Sequence, residues 1–280
     1  MSESSPISQT ETNAVDLTSA KYWDRQWGGS SQNEPAPLSL RSIVKSLVGE
    51  RFSPLYDFLH SQLAELAQRR AGIRLRVLEV GCAPGTILDG LMQRSPQHDF
   101  SGVDFSLDGI KDTLARFDLR ECRPEVHHAD VREFHPDQRY DYVYSCGLIE
   151  HFTDPLSTLR DHVRLCKPGG KVVITVPNYS GSLQRFCMER LDPEGWRSHN
   201  TAVMSEEALR ELATGAGLKN ITTGGIGKHM LRTVCEVKSP INTTIQAAAR
   251  VYSMGARLAP QAVAGSHTFW VAGEVDEAAC

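Results

Sequence analysis

Apolar residues recur at three- and four-residue steps in two early stretches, Leu38, Leu40, Ile43, Val44 and Leu47, then Leu55, Phe58, Leu59, Leu63 and Leu66. That period predicts two helices ahead of any strand. From residue 73 the pattern shortens. Ile73, Leu75, Val77, Leu78 and Val80 form a buried-strand run that breaks at Gly81 and Gly85. Thr86 to Met92 then reads as helix, Asp99 to Asp104 as strand, Leu107 to Leu119 as helix and Pro124 to His128 as strand. Tyr140 to Cys146 is the fourth strand, Pro155 to Leu165 a helix, Lys167-Pro168-Gly169-Gly170 a turn and Lys171 to Val176 the fifth strand. Residues 178 to 203 are less regular. Ser205 caps a helix that stops at Gly215 or Gly217, and strand, helix and strand follow within 219 to 225, 245 to 258 and 268 to 272. Alternating strands and helices imply an α/β fold, a mostly parallel seven-stranded sheet with helices on both faces.

The ends of the chain add little to that core. Residues 1 to 18 are polar and expected to be a disordered lead. Tyr22-Trp23-Asp24-Arg25-Gln26-Trp27 concentrates aromatics, either to anchor the segment on the core or to cover a ligand. In 280 residues the net charge is −4, with no basic stripe, so no nucleic-acid partner is expected. Seven cysteines without a C-x-x-C pair read as reduced thiols of a cytoplasmic protein. No apolar run is long enough for a membrane span or a secretory leader.

Candidate chemistry gathers at the strand ends. Gly81 and Gly85 lack the dinucleotide spacing G-x-G-x-x-G, and Glu79, two residues before Gly81, would repel a pyrophosphate. A cationic ligand suits that carboxylate. Asp104 ends strand two, about 20 residues past the turn, where a carboxylate can accept from ribose hydroxyls. Phe105 follows it, and Asp130 ends strand three beside Val131.

The stretch Val77-Leu78-Glu79-Val80-Gly81-Cys82-Ala83-Pro84-Gly85-Thr86 resembles motif I of the class I S-adenosylmethionine (SAM)-dependent methyltransferases, with Ala83 at the middle glycine. Tyr140 to Phe152 resembles motif IV, and Lys167 to Ile174 the turn and strand after it. The resemblance implies a Rossmann-like fold over residues 71–280, with acceptor-side insertions near 178–203 and 240–260 and a helical lid over 19–70. It implies SAM as cofactor, S-adenosylhomocysteine (SAH) as product and a small-molecule acceptor. Glu79 and Gly81 would meet the methionyl part, with Cys82 and Gly85 in the same turn and the Cys146 backbone beside it. Asp104 would hold the ribose, while Phe105, Asp130 and Val131 would hold the adenine. Oxygen is the expected acceptor atom, with nitrogen, carbon or sulfur methylation, or a non-catalytic cofactor-binding protein, as alternatives. His151 is the first base candidate and His199 the second. Glu150-His151 resembles part of the metal-binding Glu-x-x-Glu-His of ubiquinone-pathway methyltransferases, but Gly147 stands at the first Glu, so no metal is expected.

Overall fold

The computed structural model describes residues 16–27, 54–118, 120, 122–228, 231, 237–258 and 266–277. The helix expected over 38–47 lies outside them. Seven strands form one sheet: β1 (Arg76–Val80), β2 (Asp99–Asp104), β3 (Glu125–His128), β4 (Tyr140–Cys146), β5 (Cys166–Pro177), β6 (Lys219–Ile226) and β7 (Thr268–Glu274). Their order is β3-β2-β1-β4-β5-β7-β6, and only β7 runs antiparallel to its neighbours. The described helices are α1 (Ala20–Trp27), α2 (Pro54–Arg69), α3 (Thr86–Arg94), α4 (Leu107–Phe117), α5 (Pro155–Leu165), α6 (Ser182–Leu191), α7 (Pro193–Arg197), α8 (Glu206–Gly215) and α9 (Pro240–Leu258).

Both faces of the sheet are covered because successive strand residues point to opposite sides. Val77, Tyr142, Tyr144 and Val173 pack with Leu59, Leu63, Leu88, Leu91, Ile110 and Phe117 of α2, α3 and α4. Their sequence neighbours Leu78, Val143, Val172 and Ile174 pack with Leu159, Leu165, Leu209 and Ala213 of α5 and α8. Ser205 caps α8 as expected, its hydroxyl accepting from Ala208 N at 3.1 Å.

Four local expectations change. Residues 54–69, assigned to a lid, form a core helix: Leu59, Leu63 and Leu66 are buried, and Lys171 of β5 reaches Glu65 of α2 at 2.7 Å. Pro84, whose fixed φ suits a first helical position, does not open α3; it precedes the N-cap residue Gly85, whose φ is 80°. Lys167 to Gly170 does not separate helix from strand. Tyr140 pairs with Cys166 and Tyr142 with Lys171, so these four residues bulge out within β5. Val275 holds that bulge, its carbonyl accepting from Gly169 N at 2.9 Å and its N–H donating to Gly170 O at 3.0 Å. The irregular stretch 178–203 holds two helices, α6 and α7, and a single 3₁₀ turn at Thr201–Val203.

Gly102 shows how tightly the turn after β1 is packed. A Cβ there would stand 2.7 Å from Cys82 Sγ and 2.8 Å from Cys82 Cβ. Gly102→Ala should therefore destabilise the protein by about 1–3 kcal/mol, because overpacking outweighs the gain in chain entropy. Thermal unfolding checks this; an unchanged or raised melting temperature contradicts it.

Candidate active site

The chain runs from β1 through β2 to β3 on one side of the sheet, then crosses to β4 on the other side of β1. Loops leaving β1 and β4 part at this reversal, and a crevice opens beyond the carboxyl ends of the strands. It holds a cavity of about 400 Å³.

The floor of the cavity is the glycine turn. Gly81 has φ 74°, and a Cβ on it would press within 3.0 Å of Leu148 Cδ1 on the loop after β4. Gly85 does not line the cavity; a Cβ there would stand 2.9 Å from Thr113 Cγ2, so Gly85 fits α3 against α4. Cys82 belongs to the lining, but its thiol packs into the core below Gly102, where burial pushes its pKa well up. Burial likewise raises the Cys146 thiol, with Glu79 adding to the effect, which leaves no thiolate nucleophile at either position.

Glu79 is 2 % exposed, and Tyr144 donates its hydroxyl hydrogen to Oε2 at 3.0 Å. Burial drives its pKa well above the ordinary carboxylate range, and the tyrosine hydrogen bond opposes this only in part. Asp104 also titrates high through burial, against the pull of backbone donors from Ser106, Ala83 and Phe105. Ala83 N lies 3.0 Å from Oδ2 and Ser106 N 2.9 Å from Oδ1, so Asp104 ties the glycine turn to the end of β2.

Asp130 lines the cavity beside Val131 and Phe105, as the order of the strands predicts. Burial favours its neutral form, but Arg132 overrides that and holds its pKa below the ordinary value. The Arg132 backbone N and Nε each donate to Asp130 Oδ1 at 2.9 Å, and Arg132 Nη2 reaches Oδ2. Arg132 was missed in the sequence, although its place two residues after a strand-end acid offered a signal. It also pairs with Asp16 at 3.0 Å.

Asp16 begins a strap across the cavity. It bridges Phe152, and Leu17 N donates to His151 O at 2.9 Å. Asp16, Thr18 and Trp23 all line the cavity, so the part of the polar lead after residue 15 has structure there. Trp23 Nε1 donates to Thr18 Oγ1 at 3.0 Å, and its ring meets the edge of His151 at a centroid distance of 4.9 Å. Ser106 donates its hydroxyl hydrogen to Asp24 at 2.7 Å, while Arg25 pairs with Glu194 of α7. The strap thus touches both the cofactor-side turn and the 178–203 segment.

His151 is the one imidazole lining the cavity among the described residues. Its Nδ1 donates to Ser198 O at 2.7 Å, which makes Nε2 the basic nitrogen. His199 is outside the lining, yet its ring lies 4.4 Å from that of His151. Glu150 is 1 % exposed, and burial pushes its carboxyl up to about 8. One donor atom each from Glu150, His151 and His199 lie within 4.8 Å of one another.

Residues 48–223, more than half of the chain, match a family described as a methyltransferase domain. The chain belongs to that family. It is a SAM-dependent methyltransferase, and its crevice, with a buried acid in β1, an acid at the end of β2 and another two residues past β3, suits that cofactor. The methyltransferase is 27 % identical over 177 residues to a ubiquinone biosynthesis O-methyltransferase of Aliivibrio fischeri, covering 59 % of this chain and 74 % of that one. A protein of the same description from Alkalilimnicola ehrlichii is 30 % identical over 140 residues, 48 % of this chain and 55 % of its own. Among solved structures, the plantazolicin methyltransferase BpumL in complex with a pentazolic desmethylPZN analog and SAH shares the fold. It has a TM-score of 0.51 and 14 % identity, covering 92 % of this chain and 94 % of its own. No described helix is long and apolar enough to cross a membrane.

Proposed function

We propose that this methyltransferase transfers the SAM methyl group to a hydroxyl oxygen of a small molecule bound beside His151, under the strap and the 178–203 segment. The observation that carries this is the position of His151, which lines the same cavity as Glu79 and Asp104 with its Nε2 as the basic nitrogen. SAM supplies an electrophilic methyl group, so the main task of the protein is to hold both partners in line. A neutral amine is nucleophilic as it stands and sheds its proton after transfer. A hydroxyl gains more from losing its proton during the reaction, and a histidine at the cavity wall answers that need. The names of the ubiquinone-pathway relatives support oxygen as the acceptor atom.

In this reading Glu79 receives the methionyl ammonium and the Gly81, Cys82 and Cys146 backbones lie along the methionyl part. Asp104, held by backbone donors on both oxygens, presents its carboxyl to a ribose hydroxyl. Phe105 and Val131 face the adenine, and Asp130 accepts from its amino group while still bridged to Arg132. Gly85 acts indirectly by shaping the turn. His199 stands behind His151 and fixes the acceptor end together with Tyr179, 5.1 Å from its ring. Trp23 closes that end from the strap.

Two variants test the two halves of this reading. Asp104→Ala should weaken SAH binding on the order of tenfold or more, since a charge-assisted hydrogen bond contributes about 1.5–3 kcal/mol. Calorimetry on the folded variant decides; unchanged affinity removes Asp104 from the ribose role. His151→Ala should keep SAH affinity within a few fold and lower turnover about 10²- to 10⁴-fold, the span of general acid and base catalysis. Turnover near that of the parent, with acceptors of high and low hydroxyl acidity alike, refutes a proton-transfer role and favours an amine acceptor.

A further inference from the structure

The strap that begins at Asp16 and continues into α1 is fastened at both ends to acids of the cofactor side. We propose that Arg132 and Ser106 are positioning residues that couple docking of the strap to binding of the cofactor, so that acids on the strap set how long the cofactor stays bound. The proposal rests on the methyl-transfer reading only for occupation of this cavity by SAM or SAH.

Each fastening is a relay of three residues. At one end Arg132 divides its guanidinium between two acids. Its Nε donates to Asp130 Oδ1 at 2.9 Å and its Nη2 reaches Oδ2, while Nη1 lies 3.0 Å from Asp16 Oδ2. The planar fork fixes the angle between both partners, which the point charge of a lysine cannot do. The same guanidinium stands 5.8 Å from the ring centre of Phe152, whose backbone bridges Asp16. At the other end Ser106 N donates to Asp104 Oδ1 at 2.9 Å, and Ser106 Oγ donates to Asp24 Oδ1 at 2.7 Å. Asp130 and Asp104 line the cavity, whereas Asp24 does not.

Asp16, Thr18 and Trp23 form part of the lining, so a cofactor in the cavity meets the strap, and entry and release require the strap to lift. Its hold is largely polar and near the surface. The Arg25–Glu194 pair is more than half exposed on both sides. Burial raises the pKa of Asp16 in spite of Arg132, so that bridge offsets only part of the cost of burying the acid. A segment held in this way opens at low free energy. A cofactor that fixes Asp104 and Asp130 keeps Ser106 and Arg132 where the docked strap needs them. By linkage, the docked strap tightens cofactor binding by the same factor.

The test uses the full chain and two strap variants, Asp16→Ala and Asp24→Ala. Alanine suits the helix α1. Ser106 is left in place because its hydroxyl also caps α4, accepting from Gly109 N at 3.0 Å. Release of labelled SAH is timed by a chase with unlabelled SAH, and hydrogen exchange of residues 16–27 is followed by mass spectrometry with and without SAH. In the parent, SAH should slow exchange of that segment. Each strap variant should release SAH at least about fivefold faster, the lower end of ordinary coupling between sites, and lose much of that protection. Arg132→Lys keeps the charge and loses the fork, so it should act like Asp16→Ala, and the two together should add little to either alone. Parental release rates in the folded strap variants, or no protection of residues 16–27 by SAH, overturn the proposal. Effects of Asp16→Ala and Arg132→Lys that simply add overturn the relay through Arg132; where Arg132→Lys fails to fold, the strap variants decide alone. Weaker SAH binding by Asp104→Ala beside parental release from both strap variants leaves the methyl-transfer reading standing without the relays, whereas a parent that does not bind SAH sinks both.

Discussion

Burial of the Glu79 carboxyl where β1 meets β4 is the constraint on which the site depends. Parallel pairing places Glu79 opposite Gly102 on β2 and Tyr144 on β4, inside the sheet, where water cannot solvate a charge. A carboxylate in such a place is costly unless it is paired, so burial raises its pKa well above the ordinary range, and the carboxyl takes the Tyr144 hydrogen bond. The geometry admits a cation and disfavours a phosphate. The same reversal of strand order that buries Glu79 parts the loops above it, so the acid and the cavity have a common cause.

From that point the site grows outward in layers. Asp104 fastens the turn to β2 through Ala83 and Ser106, and Ser106 in turn holds Asp24 of the strap. Arg132 joins Asp130 to Asp16, which links the cavity wall after β3 to the start of the strap. Trp23 then leans on His151, and Ser198 and Gly195 orient the two histidines. Cofactor side and acceptor side are thus connected by hydrogen bonds and ring contacts that cross the cavity mouth.

Features set by local pattern were legible in the sequence. The run Tyr142 to Cys146 alternates between two cores and ends at the cavity, so period and position coincide. Asp104 and Asp130 were singled out because strand ends in a parallel sheet share one edge, and both line the cavity there, Asp130 two residues beyond the end of β3. What depends on distant packing was not legible. Helix α2 has the apolar period of any amphipathic helix, and nothing in it told whether Leu59 and Leu63 face a lid or the sheet. Lys167 to Gly170 has the composition of a turn, yet pairing with Tyr140 on one side and Tyr142 on the other makes it a bulge. His199 was picked out as a base candidate, but its approach to His151 depends on how α6 and α7 fold over the sheet.

The most direct test of the account is the pH dependence of SAH binding, followed by calorimetry in buffers of different ionisation heat. Burial raises the pKa of ligand-free Glu79 well above its ordinary range, and in the proposed reading the methionyl ammonium would stabilise its carboxylate. Binding should therefore release a proton, and affinity should rise with pH above the ordinary carboxylate range, up to the range near 7.7–8.0 where an α-amino group loses its own proton. Glu79→Gln should bind more weakly and lose both the proton release and the slope. Proton release and pH slope that persist unchanged in a folded Glu79→Gln variant would contradict the central role of this buried acid.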